Sequence, residues 1–85
     1  MDRKSAIFKL NLIRLARKFS YYETERSYGG YFVAGGFIVY NTKYTFKRLF
    51  SAKGALLYVR IYCDGKPLRK KEIYKLHERM EQCTG

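Results

Sequence analysis

YGGYFVAGGFIVYNTKYTFKRLFSAKGALLYVRIYC, residues 28–63, decides the fold. Two Gly-Gly pairs stand among aromatic residues, aromatic and basic residues then alternate, and the run from Ala55 to Cys63 is built of strand-forming side chains. In that run Leu57, Val59, Ile61 and Cys63 fall on one side and Tyr58, Arg60 and Tyr62 on the other, with Leu56 at the fraying edge. An arginine between two tyrosines belongs to an open face, because burying an unpaired guanidinium is costly. The sequence therefore predicts a sheet with one oily side and one side of Tyr, Lys and Arg.

Working backward, Tyr31–Ala34 and Phe37–Tyr40 read as two short strands joined at Gly35-Gly36, since glycine accepts positive φ at both corners of a primed hairpin turn. From Ile38 the pattern alternates, placing Ile38, Tyr40, Tyr44 and Phe46 on one side and Asn41, Lys43, Thr45 and Lys47 on the other. The competing reading is a helix from Thr42 to Ala52 with Phe46, Leu49 and Phe50 as its face; the two-residue period favours the strand. Ser51–Gly54 reads as a turn.

The flanks are simpler. Residues 4–19 predict a helix, with Phe8, Leu12, Leu15, Ala16 and Phe19 on its core face and a second apolar strip of Ala6, Leu10 and Ile13. That second strip raises the expectation of a homodimer through the N-terminal helix. Ser20–Ser27 is polar and reads as a connecting loop, with a strand from Tyr21 to Arg26 as the alternative. Asp64–Pro67 reads as a turn, with Pro67 leading into a helix from Leu68 to Gln82 that buries Ile73, Leu76, Met80 and Cys83. The expected fold is one α+β domain, residues 1–85: a three-stranded antiparallel sheet packed on one side by an N-terminal and a C-terminal helix.

Helix, three strands, helix is also the element order of the double-stranded RNA-binding domain, and Lys70-Lys71 is similar to the basic helix terminus of that module. The likeness is one of order, and it assigns no residue here a role.

Apolar residues make up 47% of the chain and there is one proline, a composition that builds a core rather than a disordered tail. Eighteen Lys and Arg against seven Asp and Glu give +11, which points to a polyanionic partner. Chemistry is poorly supplied. The one histidine, His77, borders the apolar stripe of the last helix, and Asp2, Glu23, Glu25 and Asp64 are scattered. No orienting constellation accompanies them, so neither catalysis nor a metal or other cofactor is expected. Cys63 and Cys83 show no metal spacing and no signal peptide is recognisable, which leads to an expectation of free thiols and a cytoplasmic location. No stretch approaches the roughly 20 apolar residues that cross a bilayer, and a membrane partner is not expected.

Binding is better supplied. Lys43, Lys47, Arg48, Tyr58, Arg60 and Tyr62 on or beside the open sheet face, with Lys66, Arg69, Lys70 and Lys71 around the last turn, combine rings that stack on bases with cations that meet phosphates. The expected function is non-catalytic binding of DNA or RNA. The alternative is a small protein-interaction or inhibitor module, for example one encoded by a phage or mobile element, anti-CRISPR-type inhibitors included. Such a module would act on a host protein or ribonucleoprotein complex.

Overall fold

The computed structural model describes residues 3–27 and 29–84. It is an α+β fold with α1 (Arg3–Ala16), β1 (Ser20–Ser27), β2 (Tyr31–Val39), β3 (Thr42–Phe50), β4 (Leu56–Cys63), β5 (Lys66–Pro67) and α2 (Lys70–Thr84). The strands form one antiparallel meander in the order β1-β2-β3-β4-β5. Five strands, rather than three, separate it from the element order of the double-stranded RNA-binding domain.

Both helices lie on the same side of the sheet. Leu12, Ile13 and Ala16 of α1 and Ile73, Leu76 and Met80 of α2 close over Val33, Phe37, Val39, Tyr44, Phe46, Val59 and Ile61, all buried. The second apolar strip of α1 is used within the chain: Ala6 and Ile13 are buried and Leu10 packs partly against the core. α1 ends at Ala16, and the next three amides bond three residues back, from Arg17 to Arg14, Lys18 to Leu15 and Phe19 to Ala16. α2 opens at Lys70, where the Glu72 carboxylate accepts the Arg69 amide and so caps the first turn. Pro67 belongs to β5 rather than to the helix. The side chain of Cys83, expected on the buried side of α2, lies outside the described residues.

Three expectations for the sheet are corrected. The first concerns Gly35-Gly36, which are not a turn but the middle of one unbroken strand. The hairpin turns five positions later, at Tyr40-Asn41, both with positive φ (49° and 63°). The glycines serve close approach instead: a Cβ on Gly35 would stand 2.2 Å from the Tyr22 carbonyl oxygen and 2.8 Å from the Phe46 ring. With no side chain between them, Tyr21 of β1 and Phe46 of β3 stack across β2, centroids 5.7 Å apart. Gly35→Ala should therefore destabilise by about 1–3 kcal/mol, the range for overpacking, measured by urea unfolding.

Moving the turn also changes the parity of β2. Ile38 pairs with Lys43 and is 45% exposed, while Phe37 and Val39 take the core positions. Tyr40 is likewise exposed.

The second correction is β1, which is a strand rather than a connecting loop, as the alternative reading of Tyr21–Arg26 has it. Ser20–Ser27 pairs along its whole length with β2, from Ser20↔Ile38 to Ser27↔Tyr31. Its polarity reflects an edge strand exposed everywhere except Tyr21, so no apolar alternation marks it.

The third lies in β4, where the register shifts at Leu49/Phe50: Tyr58 faces Leu49 but Leu56 faces Phe50. The bulge takes Leu57 out of the ladder and leaves it 50% exposed, while Leu56 packs against the core in its place. Val59 and Ile61 are buried, and Cys63 is partly buried. Ile61→Ala is expected to destabilise by about 2–5 kcal/mol, and Leu57→Ala by no more than about 0.5 kcal/mol, in the same urea titration. The turn at Ser51–Gly54 is as expected, with Gly54 (φ 87°) at its corner, whereas the expected turn Asp64–Pro67 is confined to Asp64 (φ 55°) and Gly65 (φ 79°), because Lys66 and Pro67 pair with β4 as β5.

Candidate nucleic-acid interface

The side of the sheet away from the helices is a lattice of rings and cations whose rows follow from the strand register. Tyr22, Gly36, Thr45 and Tyr62 form one row across β1 to β4. Thr24, Ala34, Lys47 and Arg60 form the next, and Arg26, Phe32, Leu49 and Tyr58 the one after. Lys43 stands beside Ile38 at one end. None of these residues is acidic. Asp64 borders the face only at the β4–β5 turn.

Lys47 and Arg60 face each other directly across β3 and β4. Like charges in that position repel and destabilise the pair. Each leans onto a ring instead: Lys47 Nζ lies 5.6 Å from the Tyr62 centroid and the Arg60 guanidinium 5.0 Å from that of Tyr58. Lys43 Nζ lies 5.8 Å from Tyr22, whose ring covers Gly36 so closely that a Cβ there would stand 2.9 Å from it. The ring quadrupoles give these cations partial compensation; a polyanion would supply the rest. Lys43, Lys47 and Arg60 are exposed and Tyr58 and Tyr62 half-buried, so this part of the expected site comes together as the alternation of β3 and β4 required.

Arg48 does not join it. It faces the helix side, opposite Val33 and Val59, where its Nη2 donates to Glu23 Oε2 at 2.8 Å. Its Nε is buried without a hydrogen-bond partner, and the guanidinium lies 5.6 Å from the Phe46 centroid. Around Glu23 gather Tyr21, whose hydroxyl donates to the same oxygen at 3.0 Å, and Arg17 at 3.8 Å. Burial raises the Tyr21 pKa above its ordinary value, and the Tyr21 hydrogen bond, more than any charge, raises that of Arg17. Tyr31 is raised chiefly by its hydrogen bond to Glu25. The carboxylates of β1 are thus gathered on the helix side, leaving the other face to cations.

Lys66, Arg69, Lys70 and Lys71 form a separate patch. Lys66 sits in β5, while Arg69, Lys70 and Lys71, with Lys75, line a shallow depression at the start of α2. His77 is half-buried between Glu81, which its Nδ1 meets, and the ring of Phe8, 4.8 Å away. Among the described residues no three His, Cys, Asp or Glu side chains cluster as metal ligands, and no helix is long and apolar enough to cross a membrane.

Preferring a loop over a strand for residues 20–27, sequence reasoning left out Tyr22 and Arg26, which flank Thr24 on the open face. The signal was present in Tyr21, Tyr22, Thr24 and Arg26, strand-compatible residues whose alternate members now share a side. Comparison with protein-family models, with curated proteins and with solved structures found no match.

Proposed function

We propose that this protein binds nucleic acid, without catalysis, through the open face of its sheet. The reading rests on one observation above the rest: Lys47 and Arg60 stand opposed on a face that carries Lys43 and Arg26 and, among the described residues, no carboxylate. Tyr22, Tyr58 and Tyr62 interleave with these cations, and flat rings beside positive charge suit splayed bases and their phosphates. The patch at Lys66, Arg69, Lys70 and Lys71 adds positive potential that draws a polyanion in.

Fluorescence anisotropy with labelled single- and double-stranded DNA and RNA, at a series of salt concentrations, tests the reading. Four phosphate contacts, one for each face cation, predict a log–log slope of about −3 on single strands and about −4 on duplex DNA. Weak, salt-insensitive binding to every probe would refute it.

A second reading is favoured by the apolar content of the same face, where Ile38 is exposed and Phe32 and Leu49 are half-buried. A protein partner, or a ribonucleoprotein, would cover these residues and the chain would act as an inhibitor or adaptor. That version predicts a tight complex in pull-down and little affinity for free oligonucleotides.

A further inference from the structure

The two edges of the sheet are finished differently. At the β4 edge, β5 pairs with Tyr62 and Cys63, the Leu68 amide donates to the Ile61 carbonyl at 2.8 Å, and Lys9 Nζ donates to the Val59 carbonyl at 3.4 Å. These contacts occupy backbone groups that another strand would need. Among the described residues the β1 edge has no such cover. It is eight residues long, paired with β2 without a bulge, free of proline and lysine, and last in the sheet. An edge of this kind, with a row of backbone donors and acceptors turned outward, is a template for strand addition.

We infer that the β1 edge pairs antiparallel with β1 of a second copy of this chain, joining two sheets into one. Because β5, Leu68 and Lys9 already occupy much of the β4 edge, strand addition among the described residues falls to β1, and a contact between two β1 edges is self-complementary and stops at two. Charge selects the same occupant. In a chain of +11, β1 carries Glu23 and Glu25 against Arg26, so two copies meeting here approach through their least cationic element.

Inward-pointing charge is one way proteins blunt an edge, but Glu23 is held by Arg48 and Arg17, and Glu25 accepts from Tyr31. The register that pairs most of β1 is centred on Thr24. It sets Thr24 against the partner's Thr24 and Tyr22 against the partner's Arg26 on the open face, and Glu23 against the partner's Glu25 on the other. The open faces of the two copies then run on into one another. This inference does not depend on what the face binds.

The test uses the full chain without nucleic acid. Sedimentation equilibrium should show a monomer–dimer equilibrium that tightens with salt, as repulsion between two +11 copies is screened; nucleic-acid binding moves the opposite way. Glu25→Gln removes both symmetry-related like-charge contacts and should tighten the dimer about fivefold, while Thr24→Lys, which opposes two ammonium groups, should weaken it about fivefold. In a chain with Cys63→Ser and Cys83→Ser, Thr24→Cys should yield a covalent dimer with a short bismaleimide, and Thr45→Cys, on the same face of central β3, should not. A monomer at every concentration even with Glu25→Gln, a dimer indifferent to Thr24→Lys, or growth beyond two copies would overturn the proposal.

Discussion

Phe46→Ala is expected to bring this protein close to unfolding, with a loss of about 3–5 kcal/mol, the range for emptying a buried phenylalanine site. Phe46 is 1% exposed and belongs to an aromatic layer rather than to a loose apolar patch. It stacks on Tyr21, lies 6.4 Å from Phe37, and carries the Arg48 guanidinium over its ring. It also fills the space that Gly35 leaves open in β2. Its removal therefore empties the joint between β1 and the rest of the sheet, and backbone relaxation cannot refill a gap whose neighbour has no side chain. At roughly 0.05–0.15 kcal/mol of net stability per residue, a chain of this length holds about 4–13 kcal/mol in all. Thermal unfolding should show the midpoint lowered by at least about 12 °C, and urea unfolding a midpoint shift with m unchanged. A change below about 1 kcal/mol would mean that Phe46 does not sit in a close-packed layer.

The largest effect on function is expected from Lys47→Ala combined with Arg60→Ala. Both side chains are exposed and neither pairs with a carboxylate among the described residues, so stability should change by no more than about 0.5 kcal/mol, and relief of their mutual repulsion favours the fold. Binding should respond strongly. Each phosphate contact on a single strand contributes about 0.7 to the salt slope, so at about 0.1 M salt each is worth roughly fivefold in affinity. The double variant should then lose about 25-fold and flatten the slope by about 1.4. Tyr62→Leu should act differently, lowering affinity by about 1–3 kcal/mol of lost stacking while leaving the slope in place. Lys70→Ala with Lys71→Ala probes the separate patch and should flatten the slope less than the pair on the sheet. If neither pair weakens binding in folded protein, the open face is not the site.

The comparison of sequence with structure turns on a few residues. Alternation in Tyr44–Lys47 and Tyr58–Cys63 was enough to divide core from open face, because a pleated strand with one buried side must place every second residue outward. The same alternation brings Lys43, Lys47, Tyr58, Arg60 and Tyr62 to one face. The helical stripes of both flanking segments were legible for the same kind of reason: Leu12, Ala16, Ile73, Leu76 and Met80 recur at helical spacing and are buried.

What misled were features whose meaning depends on neighbours distant in sequence. Gly35-Gly36 carries the local signature of a turn, yet the glycines answer to Tyr22 and Phe46, which arrive from other strands. Arg48 follows Lys47 in a basic run, but its direction is set by pleat and its partner Glu23 lies twenty-five residues away. Leu57 obeys the alternation of β4, and a bulge formed against Phe50 removes it from the core. β1 shows no apolar period because an edge strand clear of the helices has little to bury.

By itself, then, the sequence determined two amphipathic helices, a strand-rich centre and the sign and character of its outward side chains. Each of those is a period or a charge carried within a short segment. The number of strands, the place of the β2–β3 turn, the separation of Arg48 from the other cations and the open edge at β1 were decided only in the tertiary structure. They depend on which backbones approach one another, and close approach is a relation between segments that no single stretch contains.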